Sequence, residues 1–442
     1  MKHYKYLILG FFSLQILSAQ TNESLPLSRF GIGSLSRSLS PISQGSGHAG
    51  LAYTNAEEYN PLNPASLGFL KITDVELGYN VKFKKISDSE TSANDVSGTL
   101  SYLQIGVPLQ NSINEILDHK AHKHNFGMSL GLTPFTSTSY NYSVIDSNSV
   151  GNIIRKLNGS GGLNQFQLGL GYRIKNFSTG INLGYIFGNL NYEQTFSLLN
   201  VYPSAIDNYQ DRYYGSGVNT QLAFIYQQIT NKKLISKDNV IKPKAINYSL
   251  LLGLPNQLRM SRYSVQTSTL DLGNVGEIVD TLFYVDNQKS KAELPFKVLA
   301  GISYNNKDKS GIMADFGYEN WENVKKFVGE QGDLINASYV SLGVWYKPDN
   351  SGYGNVLQRS QYRFGTFYDQ GYLSISNESL KTYGLTLGMG TSFNFQRQLC
   401  VVNLALEAGR SVLKNTIEEN YIKLNIGIRI NDSEWFLKRR YN

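Results

Sequence analysis

Alternation with a period of two constrains this chain more than any other feature. In the last such stretch Ile422, Leu424, Ile426, Ile428 and Ile430 fall on one face, while Lys423, Asn425, Gly427 and Arg429 fall on the other. Successive side chains of a strand point to opposite faces, so the stretch is a strand with one oily and one wet face. The pattern recurs from about residue 74 to the end, as in Val75, Leu77, Tyr79, Val81 and Phe83, or Ile181, Leu183, Tyr185 and Phe187. It appears again in Ile246, Tyr248, Leu250 and Leu252. A soluble sandwich would alternate in the same way, so alternation alone leaves two all-β architectures open.

Strand number and the spacing of turns favour one of them. Strands are expected near 74–84, 96–107, 124–142, 164–174, 177–191, 214–228, 245–268, 295–305, 310–320, 336–347, 361–369, 382–395, 400–411 and 421–430. The seventh is read as one strand broken near Pro255-Asn256, which keeps the count at fourteen and even, as single-chain bacterial barrels require. Tight turns at Lys175-Asn176, 305–310 and 396–399 alternate with longer stretches at 143–163, 192–213, 269–294, 321–335 and 370–381, which are read as loops. Short turns on one rim and long loops on the other predict a transmembrane antiparallel β-barrel in the outer membrane of a Gram-negative bacterium, short turns facing the periplasm. The connections 108–123, 229–244 and 348–360 are longer than that pattern favours.

The composition agrees. Mean hydropathy is −0.27 and 17% of residues are charged, and beyond the first twenty residues no apolar run approaches the roughly 18 needed for a membrane helix. A closed sheet satisfies its backbone internally and needs no such run. The single cysteine, Cys400, excludes a disulfide framework and a cysteine metal site. Lys2, His3 and Lys5, an apolar stretch Tyr6–Leu17 and Ser18-Ala19 read as a signal peptide over residues 1–19. Its removal takes away Lys2 and Lys5, lowering the net charge of +7 to +5, too small and scattered an excess for nucleic acid. Residues 20–73 lack strand signal and are expected to lie as a plug inside the barrel of residues 74–430, because fourteen strands enclose more space than their own side chains fill. Residues 431–442 are read as a periplasmic tail. Trp321 and Trp345 fall at strand ends and Trp435 just beyond the last strand, where an interfacial aromatic girdle belongs.

The segment before the barrel carries a family resemblance. Gly45 to Ala52 followed by Asn63-Pro64-Ala65 resembles the N-terminal hatch of the FadL-like outer-membrane transporters of long-chain fatty acids and other hydrophobic compounds. Arg29-Phe30-Gly31-Ile32-Gly33 is similar to the opening of family members. Further similarities are Leu294-Pro295 leading into the strand with Gly301, Trp321 after the Asp315 strand, and Tyr362-Arg363-Phe364-Gly365. Where family hatches usually read Met-Gly-Gly-Ala, this chain has Gly45-Ser46-Gly47-His48-Ala49, and it ends in Tyr441-Asn442 rather than a terminal Phe. The resemblance implies passive uptake of fatty acids or other hydrophobic small molecules by a monomeric barrel, gated by the hatch with Asn63, Pro64 and Ala65 in it. Detergents and outer-membrane lipids are further expected ligands, and no cofactor is implied. A second reading is a structural or docking subunit, like the FadL-like barrels of the type nine secretion apparatus, held by a large membrane protein partner.

Three constellations complete the reading. His119, His122 and His124 beside Asp118 suggest a metal, but Lys120 and Lys123 interleave and oppose a cation, so the stretch reads as a solvated turn. Pro134 removes a ladder donor from the third strand and predicts a kink or local opening of the wall, and family members carry a kinked third strand beside the hatch. No nucleophile elbow, phosphate loop or His-paired nucleophile is recognisable, so the chain is not read as an enzyme. In the last strand Ile426 is expected to face lipid and Asn425 the lumen, where a charge should be tolerated.

Overall fold

The computed structural model describes residues 26–36, 40–88, 91–117, 119, 122–148, 151–198, 205–231, 243–271, 277–324, 333–349, 354–375, 378–395, 398–414 and 416–434. Its strand segments form one antiparallel sheet, and successive segments merge into fourteen wall strands. These are β1 (Thr73–Ser87), β2 (Ser92–Pro108), β3 (His124–Ser137, continued by Tyr140–Asn148), β4 (Gly151–Ile174), β5 (Phe177–Leu198) and β6 (Ala205–Ile229). There follow β7 (Lys244–Gly253 and Asn256–Asp271), β8 (Glu277–Leu294 and Lys297–Asn306), β9 (Ser310–Glu319) and β10 (Ala337–Tyr346, below Asp333–Leu334). The last are β11 (Gln361–Ile375), β12 (Glu378–Phe395), β13 (Gln398–Leu413) and β14 (Ile417–Asp432). β14 pairs with β1 from Glu418↔Ser87 to Asp432↔Thr73, which closes the barrel. The seventh strand breaks at Leu254-Pro255, where proline cannot donate to the ladder.

Burial decides between barrel and sandwich. In β14, Ile422, Ile426, Ile428 and Ile430 are 36–52% exposed, whereas Glu419, Asn425 and Arg429 are buried. β1 repeats the inversion, with Leu77 and Phe83 exposed and Asp74, Glu76, Lys82 and Lys84 buried. Apolar outside and charged inside is the pattern of a wall with lipid around it and a polar lumen within. Tyr226, Tyr248, Tyr304 and Tyr346 point outward near the periplasmic rim, and Tyr185, Tyr214, Tyr318 and Tyr368 do so further up. These tyrosines, rather than tryptophans, supply the interfacial rings. Trp321 and Trp345 are buried inside the barrel: Trp345 packs with Ile42, Ala49, Tyr53 and Met313, and Trp321 with Tyr372 and Leu373. Lying at a strand end does not fix a side, because the face depends on parity along the strand. Trp435 lies outside the described residues.

The stretches expected to be outer loops are mostly strand. β4, β5 and β6 run for 24, 22 and 25 residues, while about ten span a bilayer. Their outer halves, with the upper parts of β7 and β8, stand beyond the lipid band as paired ribbons. Once both faces are solvated, nothing selects apolar residues at alternate positions, so the backbone stays paired while the alternation fades. Of the expected loops, 321–335 alone carries little strand among its described residues.

Candidate functional site

Residues 40–70 occupy the lumen. Ser40 and Pro41 begin a short helix, with the Ser40 Oγ accepting the Ser43 N–H. Asn63 begins a 3-10 helix, Pro64–Phe69, its Oδ1 accepting the Ala65 N–H at 2.9 Å. The Asn63 side chain also donates to the Leu51 carbonyl at 2.8 Å and to Ser249 Oγ on β7 at 2.7 Å. Asn63, Pro64 and Ala65 thus form a capped turn seated on the wall, where a Cβ on Gly180 of β5 would come 2.4 Å from Pro64. On the opposite side glycines interlock. A Cβ on Gly47, whose φ of +66° already favours glycine, would lie 2.3 Å from the Thr366 nitrogen of β11, and one on Gly343 of β10 would lie 2.3 Å from the Ser46 carbonyl.

Ion pairs and hydrogen bonds fix this plug to the wall. Arg429 of β14 reaches Glu58 of the plug at 2.9 Å, and Asp74 and Glu76 of β1 at 3.4 and 3.7 Å. Asp315 of β9 accepts the Gly50 and Leu51 N–H groups at 2.7 and 2.8 Å. Glu407 of β13 accepts Gln44 Nε2 and contacts His48 Nε2, both at 2.9 Å, and the His48 ring stacks on Phe367. Burial pushes the Tyr59 phenol up to about 12.

A second piece of the N-terminal segment, residues 27–35, crosses the lumen above the plug as an arm. Ile32 is buried among Leu157, Leu163, Ile186 and Leu190, while Phe30 packs on the Trp321 cluster. Tyr192 donates to the Gly31 carbonyl at 3.0 Å and Tyr372 to the Gly33 carbonyl at 2.8 Å. Arg29-Phe30-Gly31-Ile32-Gly33 is therefore this arm. Its end, Ser34–Leu35, pairs with Ser137 and Thr136 of β3.

That pairing marks an interruption of the wall. β2 and β3 share rungs only from Pro108↔Gly127 to Leu103↔Leu132. Above them, residues 92–102 of β2 pair with β1 and have no ladder partner on the β3 side among the described residues. Pro134 stands two residues beyond the last rung, and between Pro134 and Thr136 the register with β4 shifts. The β3 edge that serves β2 lower down is here taken by the arm.

Between arm and plug lies a cavity of about 630 Å³. Leu27 and Ser34–Ser36 bound it above, Gln44 and His48 below, and it reaches both rims of the interruption, Thr99–Ser101 on β2 and Leu132–Ser137 on β3. The structure thus brings Pro134 to the cavity and sets Asn63, Pro64 and Ala65 in the plug beneath it. His119, His122 and His124 stay at the periplasmic rim, His124 with Tyr172 at 2.7 Å. No group of three metal-ligating side chains occurs among the described residues, and Asp118 and Lys120 lie outside them. Asn425 does face inward, but it is fully buried, hydrogen-bonded to Asn80, with Ser101 Oγ at 3.5 Å. Its side chain is enclosed by these neighbours and does not reach the cavity, so the expectation of free tolerance to charge there is corrected. The arm and the Arg429 cluster were not singled out from the sequence. A usable signal for the cluster was present, since Asp74, Glu76 and Arg429 sit on the wet faces of the first and last strands, which a closed barrel makes neighbours.

A family profile, BamG, matches residues 1–442. The chain belongs to the BamG family. This BamG-family barrel has the fold of the FadL-type outer-membrane channels. A monoaromatic hydrocarbon channel, CymD, is 15% identical with a TM-score of 0.56, over 91% of this chain and 98% of that one. The Ralstonia pickettii toluene transporter TbuX is 14% identical with a TM-score of 0.55, over 89% and 98%. A Pseudomonas aeruginosa FadL homologue is 11% identical with a TM-score of 0.55, over 91% and 99%. No curated protein matches the chain.

Proposed function

We propose that this barrel is a passive outer-membrane conduit for hydrophobic and amphipathic small molecules, long-chain fatty acids among them, with residues 20–73 as its hatch. The observation that carries the reading is the continuity of the cavity with the interrupted wall, from Gln44 and His48 to the rims at Leu100 and Leu132. The solved channels of the same fold, named for toluene and monoaromatic hydrocarbons, support it. The hatch divides its labour. The plug is held by interlocking glycines and ion pairs around the wall and stays seated, whereas the arm is held by the packing of Ile32, by single hydrogen bonds from Tyr192 and Tyr372 and by a short pairing with β3 at Ser34 and Leu35, with no ion pair among these contacts, and is the part that moves. Pro134 keeps the β3 edge unpaired with β2, so a solute leaves sideways between β2 and the arm.

Two tethers test this in a Cys400→Ala background, with uptake of a fluorescent fatty acid by cells as the readout. Leu35→Cys with Thr136→Cys, at register partners, fixes the arm and should abolish uptake. Glu57→Cys with Asn431→Cys fixes the plug, where Asn431 donates to the Glu57 carbonyl at 2.7 Å, and uptake should persist. Uptake that survives the arm tether overturns the lateral route, and loss with the plug tether alone assigns the motion to the plug.

The outer ribbon favours a second reading, a docking subunit held by a large membrane protein. Val279, Leu282, Phe283 and Tyr284 of β8 are all about half exposed or more, and this upper part of β8 pairs only with β7 among the described residues. A photo-reactive residue in place of Tyr284 should then crosslink to one defined partner in intact cells.

A further inference from the structure

Resting on the conduit reading, we infer that the cavity takes the head of a lipid-like molecule whose head is neutral and rich in hydroxyl groups, such as an alkyl or acyl glycoside, with its chain in the bilayer beyond the β2–β3 interruption. What the cavity can bind depends on which of its groups are held in ion pairs. Its basic side chains each face a carboxylate: His48 meets Glu407 at 2.9 Å, Lys82 meets Glu419 at 2.5 Å and Lys297 meets Glu319 at 3.0 Å. The fourth, Lys423, stands across from the same Glu407 in the β13–β14 register, and Asp369 adds a further carboxylate to the lining. An anionic head would have to compete with a carboxylate for one of these partners, so a fatty acid is held less tightly than a neutral head on the same chain. A pure hydrocarbon would instead desolvate the amides and hydroxyls of the lining without replacing their hydrogen bonds.

The remaining lining is of a different kind. Asn80, Asn189, Asn219 and Gln221 present amides, and Thr382 and Ser411 present hydroxyls. The bonds among them are neutral ones, Asn80 with Asn425, Asn189 with Asn191, Asn219 with Gln165 and Thr382 with Ser411, and each leaves donor or acceptor capacity to spare. An amide offers both donors and an acceptor, and a hydroxyl does the same. A carboxylate head can only accept, whereas a sugar or polyol head both donates and accepts and can match every one of these groups. The rim at Leu100, Leu132 and Pro134 is apolar and opens toward the lipid-facing band that includes Leu103 and Leu130. One molecule with a hydroxylated head and a single chain satisfies both surfaces at once.

The test uses the full-length protein in lipid nanodiscs, with radiolabelled dodecyl maltoside below its micellar concentration, radiolabelled laurate of the same chain length, and subtraction of empty discs. Saturable binding of the maltoside is expected, with half-saturation at least tenfold below that of laurate. Thr382→Val with Ser411→Ala removes both partners of one 3.0 Å hydrogen bond and so leaves no orphaned group. It should cut that selectivity ratio at least tenfold, and Asn219→Leu, on the facing wall, should do so independently. Laurate binding as tightly as the maltoside, or a ratio unmoved by both variants, overturns the inference and leaves the conduit intact. Saturable binding of neither ligand overturns both.

Discussion

Single residues in this barrel are judged by what lies on their side of the wall. Ile426 looks into lipid, and replacing it by Arg at mid-depth should cost about 2–4 kcal/mol, read as the urea midpoint of unfolding from lipid vesicles. Its neighbour Asn425 faces the lumen, yet an added charge there meets Asn80 and Ser101 rather than water. Asn425→Asp should therefore also destabilise, by about 1–3 kcal/mol, whereas Asn219→Asp, beside the cavity, should leave the midpoint nearly unchanged. Gly47 illustrates a different constraint: any Cβ would strike the Thr366 backbone and demand a strained φ. Gly47→Ala should unseat the plug, read as new protease cleavage between residues 40 and 60 while the barrel stays resistant. Face, and hence lipid exposure, was legible in the period of two. The enclosure of Asn425 was not, because it depends on Asn80 and Ser101, far away in the chain.

At the scale of elements, strands were legible where they cross lipid and illegible where they leave it. The alternation of β14 needs one apolar and one wet environment, and both exist only at membrane depth. Residues 279–290 of β8 are exposed on both faces nearly throughout, and no binary pattern marks them as strand. Cysteine labelling with a membrane-impermeant reagent should follow this topology: Asn158→Cys in the outer ribbon reacts on intact cells, and Lys307→Cys in the β8–β9 turn reacts only after permeabilisation. The opening between β2 and β3 was partly legible, since Pro134 announces a lost donor. Nothing near Pro134 announces that the arm occupies the vacated edge, because a two-residue pairing has no periodicity of its own. The candidate site was likewise half visible: Asn63, Pro64 and Ala65 were marked by resemblance, while the cavity they underlie is assembled from strands across the whole barrel.

For the whole molecule, Arg429 is the residue that ties the parts together, since it joins the last strand to the first and to the plug. Arg429→Met leaves Glu58, Asp74 and Glu76 buried without their cation and should cost about 3–5 kcal/mol, measured as the loss of heat-resistant migration on a gel. Asn431, one turn of the pleat away, adds a bond to Glu57. Both contacts lie at the β1–β14 seam, the join that closes the wall. The plug, keyed into β5, β10 and β11 by contacts too close for any added methyl, is too tightly interlocked to be threaded into a finished cylinder. The order of assembly is thereby dictated: the N-terminal segment is cradled by an open sheet, and the final hairpin hoops the staves around it, as a cooper would fit a cask about an object too large for its mouth.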